Sequence, residues 1–84
     1  MTDYQFTKSS LKRFKKLPKE IQVRIITKLD YFCIQKNPLG FAEPLTRGDL
    51  GQYRFRIGDY RVTFDVEDEV LVIHDADNRK NIYR

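Results

Sequence analysis

Tyr53-Arg54-Phe55-Arg56-Ile57-Gly58-Asp59-Tyr60-Arg61-Val62-Thr63-Phe64-Asp65-Val66 is the stretch on which the fold turns. Large apolar residues stand at every second position on both sides of Gly58-Asp59. Arg54 and Arg56 alternate with them on one side, and Arg61, Thr63 and Asp65 on the other. A period of two belongs to a strand with one buried face, and Gly-Asp between two such runs signals a tight turn. The stretch therefore predicts a β-hairpin. Tyr53, Phe55, Ile57, Tyr60, Val62, Phe64 and Val66 face a core, while Arg54, Arg56, Arg61 and Thr63 face away from it. Glu67-Asp68-Glu69 makes a second polar turn, and Val70-Leu71-Val72-Ile73 is a continuous apolar strand. Three consecutive strands of this kind form an antiparallel meander.

Towards the N-terminus the period changes. Residues 3–7 alternate and contain β-formers, which reads as a short strand. Ser9 or Ser10 can cap the helix that follows. Leu11, Phe14 and Leu17 recur at a spacing of three with lysines between them, an amphipathic pattern. Pro18 marks a break and a new helix start. Ile21, Ile25, Leu29 and Phe32 make one stripe, widened by Ile26 and Cys33, and Pro38 ends the helix by Asn37. The prediction is a helical hairpin over residues 9–36. Residues 37–49, with two Pro and two Gly, read as loop; Leu45-Thr46 either begins a strand or packs the loop down. Residues 77–84 offer Ile82 and Tyr83 for packing and read as a short terminal strand or an extension. The predicted class is α+β with order β-α-α-β-β-β. An N-terminal strand and a helical hairpin pack on an antiparallel sheet, as one domain of residues 1–84.

At 84 residues, 40% apolar and with five Tyr and six Phe, the chain can build one core. No apolar run approaches the ~18 residues of a membrane span, and Met1-Thr2-Asp3-Tyr4 shows no basic-then-apolar leader. Cys33 is the single cysteine. In its apolar run it reads as a buried free thiol, which fits a cytoplasmic location. With one Cys and one His, a protein-only zinc site is implausible, and neither metal nor cofactor is expected.

The net charge of +4 is unevenly spread. Residues 1–47 carry ten Lys/Arg against four Asp/Glu, and residues 48–84 carry six against eight. A basic helical half suggests a polyanion or an acidic partner protein, or simply a solvated helix face. The arginines of the hairpin say more. Arg54, Arg56 and Arg61 lie on neighbouring strands and share one face, where like charges repel. An anionic ligand relieves that repulsion, and arginine binds phosphate bidentately. The alternative is three solvated arginines offset by Asp65, Asp75 and Asp77. Arg79, Lys80, Tyr83 and Arg84 join the same face or its rim if the terminal segment folds beside the last strand. Tyr83 can then stack on a base or exchange a proton. His74 is the only residue of a type that titrates near neutrality. Continuing the alternation after Val72, it faces the core side with Ile73 on the other. Its place at a strand end beside Asp75 favours a structural role over catalysis. There is no Gly-rich phosphate loop, H-E-x-x-H or G-x-S-x-G.

These features resemble the RelE/ParE toxin superfamily over nearly the whole chain. Gly51-Gln52-Tyr53-Arg54-Phe55-Arg56 and Gly58-Asp59-Tyr60-Arg61-Val62 resemble the family's basic strand and G-x-Y-R motif. Asn78-Arg79-Lys80-Asn81-Ile82-Tyr83-Arg84 resembles its R-x-x-[VI]-Y ending, which points to the RelE branch. The resemblance implies a toxin of a type II toxin-antitoxin system, held by a cognate antitoxin. It implies a ribosome-dependent endoribonuclease that cleaves mRNA without metal by 2′-hydroxyl attack on the adjacent phosphate. By position, Arg54 and Arg56 would bind the RNA backbone, with Lys80 and Arg84 beside them. Arg61 would stabilise the scissile phosphate, Arg79 would support it or assist the leaving group, and Tyr83 would stack on a base. Arginine stays protonated, which leaves Tyr83 or His74 as the candidates for proton transfer. The same fold also serves ParE-like poisons of DNA gyrase, and a catalytically degenerate antitoxin-binding module is a third possibility.

Overall fold

The computed structural model describes residues 2–82. In chain order it contains β1 (Asp3–Phe6), α1 (Lys8–Phe14), α2 (Lys19–Cys33), a 3₁₀ turn (Pro38–Phe41), β2 (Ala42–Pro44), β3 (Tyr53–Ile57), β4 (Tyr60–Glu67), β5 (Val70–Asn78) and a single helical turn, α3 (Arg79–Ile82). The strands form one sheet in the order β1-β5-β4-β3-β2. The meander β3-β4-β5 is antiparallel, as its turns predict. β1 joins it parallel to β5, with Tyr4 opposite Leu71 and Phe6 opposite Ile73. The helical hairpin supplies the crossover that a parallel pair needs. β2 was hidden in the Pro/Gly loop; it pairs with β3 through Ala42–Phe55, Glu43–Arg54 and Pro44–Tyr53.

One face of the sheet meets the helices. Phe55, Val62, Phe64 and Ile73 are fully buried there, together with Ile25 and Leu29 of α2. Phe55 lies between Phe32 at 4.4 Å and Phe64 at 4.6 Å between ring centroids, within the range where aromatic pairs attract. Cys33 belongs to this core as a free thiol, and burial pushes its pKa up. The β4–β5 connection is a two-residue turn, with Asp68 and Glu69 both in the left-handed region (φ 49° and 64°). That is the backbone that suits the twist of a hairpin.

The helix caps differ in detail from expectation. Thr7, not a serine, caps α1, its side chain accepting from the Ser10 amide at 3.2 Å. Ser10 is instead buried, and its hydroxyl donates to the Ile73 carbonyl at 2.7 Å. Pro18 stands just before α2 and gives its carbonyl to the amides of Ile21 and Gln22. Of residues 77–82, the first two are strand and the other four a helical turn. β5 runs on to Asn78, and Arg79–Ile82 then form one helical turn, its Arg79 amide bonded to the Asp59 carbonyl at 2.9 Å. Among the described residues no helix is long and apolar enough to cross a membrane.

β1 is tied to α2 by Tyr4, whose hydroxyl donates to Asp30 Oδ1 at 2.8 Å. Partial burial, with the bonded carboxylate second, pushes the Tyr4 pKa up to about 12. A raised folded-state pKa means stability that is present below pH ~10, the unfolded value, and lost as the pH rises towards 12. Tyr4→Phe should cost about 1 kcal/mol at neutral pH. Urea unfolding of both proteins between pH 8 and 12 should show the wild type losing this advantage above pH ~10 while the variant lacks that component.

Candidate nucleic-acid interface

The face turned away from the helices is built by register alone. Across it, Glu43, Arg54, Thr63 and Asp75 stand in one cross-strand row, and Arg56, Arg61 and Asp77 in the next. The structure thus brings the three hairpin arginines together on one face. It also changes their setting. Arg54 and Arg56 both approach Glu43 Oε1, at 3.3 and 3.7 Å. That counter-charge lies in a three-residue strand that the loop composition concealed. Arg56 keeps 60% of its side chain exposed against 28% for Arg54, so Arg56 is the more accessible cation.

Arg61 is on the expected face but is not open to solvent. It is only 5% exposed, and its Nη1 donates to the carbonyls of Gly58 (2.8 Å) and Tyr60 (2.9 Å). These carbonyls belong to the hairpin turn, so the guanidinium folds back along its own strand. It makes no ion pair with a described residue. Its row sets Arg56 on one side and Asp77 on the other; the like-charged Arg56–Arg61 pair is destabilising by itself and is suited to an anion. Thr63, in the adjacent row, is 1% exposed, and its hydroxyl has no hydrogen-bond partner among the described residues.

His74 is a correction. Ile73, not His74, is buried in the core. Thr63 pairs with Asp75 and Phe64 with Ile73, so His74 is an extra residue, a β-bulge in β5. His74 follows the buried Ile73 onto the arginine face and the bulge keeps Asp75 there too; His74 Nε2 lies 2.7 Å from Asp65 Oδ2. Asp65 is anchored in turn: its Oδ1 accepts from the Gln52 amide at 2.8 Å, and Gln52 Oε1 accepts from the Val66 amide at 3.0 Å. Gly51, at φ +118°, packs against this group; a Cβ there would meet Phe64 O at 3.1 Å and His74 Cδ2 at 3.4 Å. On the other side, Arg13 of α1 donates to the His74 carbonyl (2.8 Å) and to Asp75 Oδ1 (3.1 Å).

Arg79 and Lys80 are exposed at the start of α3, at the end of the sheet where the chain leaves β5. Asp77 Oδ1 caps this turn by accepting from the Asn78 amide and from Asn81 Nδ2. Tyr83 and Arg84 lie outside the described residues. Among the described residues, no three His, Cys, Asp or Glu side chains gather as a metal site would need.

The chain matches, over residues 4–75, the family model of the ParE toxin of the type II toxin-antitoxin system parDE. It is 30% identical over 82 residues to toxin RelG of Mycobacterium tuberculosis, covering 95% of this chain and 93% of that protein. The toxin-antitoxin complex RelBE2 of Mycobacterium tuberculosis contains a chain with the same fold, at TM-score 0.74 and 26% identity, covering 93% of this chain and 98% of that one. The archaeal RelE-RelB complex of Pyrococcus horikoshii OT3 gives TM-score 0.66 and 31% identity, covering 94% and 97%. The protein is a type II toxin-antitoxin toxin and belongs to the RelE/ParE superfamily.

Two outcomes follow from this geometry. Gly51→Ala forces a side chain onto a left-handed backbone beside a carbonyl, and should destabilise the protein by more than about 1 kcal/mol in a denaturant titration. Glu43→Gln removes the carboxylate shared by Arg54 and Arg56. It should tighten binding of a single-stranded RNA oligonucleotide roughly threefold at low salt and steepen the salt dependence of that binding, measured by fluorescence anisotropy.

Proposed function

We propose that this toxin is a ribosome-dependent mRNA endoribonuclease acting in the cytoplasm. The observation that carries the proposal is the Arg56–Arg61 cross-strand pair. Two cations stand directly opposite each other, one of them buried and bound only to carbonyl oxygens among the described residues. Such an arrangement is relieved by a phosphate. In this reading Arg54 and Arg56 hold the RNA backbone, with Lys80 and Arg84 at the rim. Arg61 and Arg79 stabilise the charge that develops on the scissile phosphate, and Tyr83 stacks on a base. The RNA's 2′-hydroxyl attacks the adjacent phosphate, and the proton is exchanged through Tyr83 or His74. No metal enters the scheme. Ribosomal positioning of the message supplies much of the rate by holding attacking and leaving oxygens in line.

The partners proposed are the ribosome, the mRNA and a cognate antitoxin. Antitoxin binding is supported by the structural relatives, which are toxins in RelB-RelE complexes. The lysine-rich helices favour an acidic segment that folds on binding.

A second reading, a gyrase poison without RNA chemistry, is favoured by the ParE family match. The two separate in one assay. In a reconstituted translation mixture the wild type should cleave mRNA only with ribosomes present. Arg61→Ala should lower that rate ~100-fold or more, and Arg56→Ala should weaken it mainly through binding. Arg61→Ala at full activity sinks the ribonuclease reading. Trapped gyrase–DNA complexes with translation intact establish the other, and unhindered growth on overexpression without antitoxin points to a degenerate module.

A further inference from the structure

We infer that His74 is the group that takes the 2′-hydroxyl proton, and that Asp65 is the residue that positions it. This assignment rests on the ribonuclease reading and names the proton acceptor that reading leaves open.

The bulge supplies the first argument. In a regular strand, His74 and Asp75 would point to opposite faces. With Ile73 buried, alternation sets His74 on the arginine face, and the extra residue brings Asp75 to the same face; bulges are over-represented next to active sites. The surroundings hold the bulge in place. Thr7 and Ser10 bond the Ile73 carbonyl, and Arg13 bonds the His74 carbonyl.

The second argument is the direction of the ring. An ionised carboxylate only accepts, so His74 Nε2, 2.7 Å from Asp65 Oδ2, carries the hydrogen. In the neutral ring the lone pair is then on Nδ1, which has no hydrogen-bond partner among the described residues. Asp65 is fixed by the Gln52 amide, and the ring edge rests against Gly51. A base oriented by a carboxylate through one nitrogen, with the other nitrogen open, is the arrangement that proton abstraction requires.

The third argument is position. His74 precedes Asp75, which shares a row with Thr63 and Arg54. Two strand spacings, ~10 Å between backbones, separate His74 from Arg54. Arg54 turns towards Glu43 on the far side, so RNA backbone held by Arg54 and lying across β4 would reach His74 over more than one nucleotide. The charged groups facing His74 are Asp65 from β4, Asp75 from β5 and Arg13 from α1.

The step balances as follows. Nδ1 takes the proton from the 2′-hydroxyl as the O2′–P bond forms and the P–O5′ bond breaks. Water protonates the departing 5′ oxygen, and the hydroxide left behind takes the proton from the imidazolium. The products are a 2′,3′-cyclic phosphate and a 5′-hydroxyl.

The test is single-turnover cleavage of a message on purified ribosomes, followed across pH. The wild type should produce the cyclic phosphate, with a rate governed by a protonation that His74→Gln lacks. Because glutamine can still donate to Asp65, this variant keeps the fold. It should lose ~100-fold in rate or more while binding ribosomes normally. His74→Ala should regain activity on adding imidazole. Asp65→Asn should also be slowed and should move the pH at which the rate turns over, and Asp65→Glu should recover part of the rate. If His74→Gln cleaves within twofold of the wild type, or His74→Ala is slow with an unchanged pH profile and no response to imidazole, His74 is structural and the ribonuclease reading stands without it. If the wild type does not cleave, or cleaves equally well at a 2′-deoxy nucleotide, the ribonuclease reading falls first and takes this assignment with it.

Discussion

Phe55 is held between Phe32 of α2 and Phe64 of β4, and that three-ring contact decides which way every neighbouring side chain points. A strand slipped by one residue would bring Arg54 or Arg56 into the aromatic slot. The cost of burying an unpaired guanidinium there is several kcal/mol. With Phe55 fixed, β3 has one register against β4, β4 has one against β5, and the arginines fall into their rows without any further interaction to place them. The arginine face is thus a by-product of how the opposite face packs. The rigid hydrophobic side supplies the precision, and the exposed side is free to carry charges that weaken the sheet.

Most of this was legible because it depends on period. Alternation from Tyr53 to Val66 gave both hairpin strands, the inward set and the outward arginines. The helical spacing of Ile21, Ile25, Leu29 and Phe32 gave α2. What alternation cannot reveal is what covers a side chain once its face is known. Arg61 is outward yet buried, because its guanidinium folds back onto carbonyls of its own hairpin turn. Nor does composition reveal a three-residue strand in a Pro/Gly loop. Nothing in the sequence therefore marks Glu43 as the carboxylate shared by Arg54 and Arg56.

The face of His74 is hidden in the sequence for a different reason. Val70-Leu71-Val72-Ile73 is apolar at every position, so it carries no phase from which to extrapolate. Leu71 and Ile73 are the buried pair, and the bulge after Ile73 then resets the phase so that Ala76 returns to the core. A polar pair, His74-Asp75, followed two residues later by another Asp was the one local hint that the regular pattern had been interrupted. The parallel β1 also left no mark of its own, since a four-residue strand reads alike in either direction.

That parallel strand has a bearing on when the protein comes into existence. β1 is synthesised well before Val70–Ile73, its partner in the sheet. Until β5 has emerged, Tyr4 and Phe6 have no strand to pair with, and α1 lacks the carbonyls that Ser10 and Arg13 bond. Pairings of such long sequence separation form late and slowly. A nascent copy therefore cannot complete its sheet, or dock α1 against it, until β5 has been made.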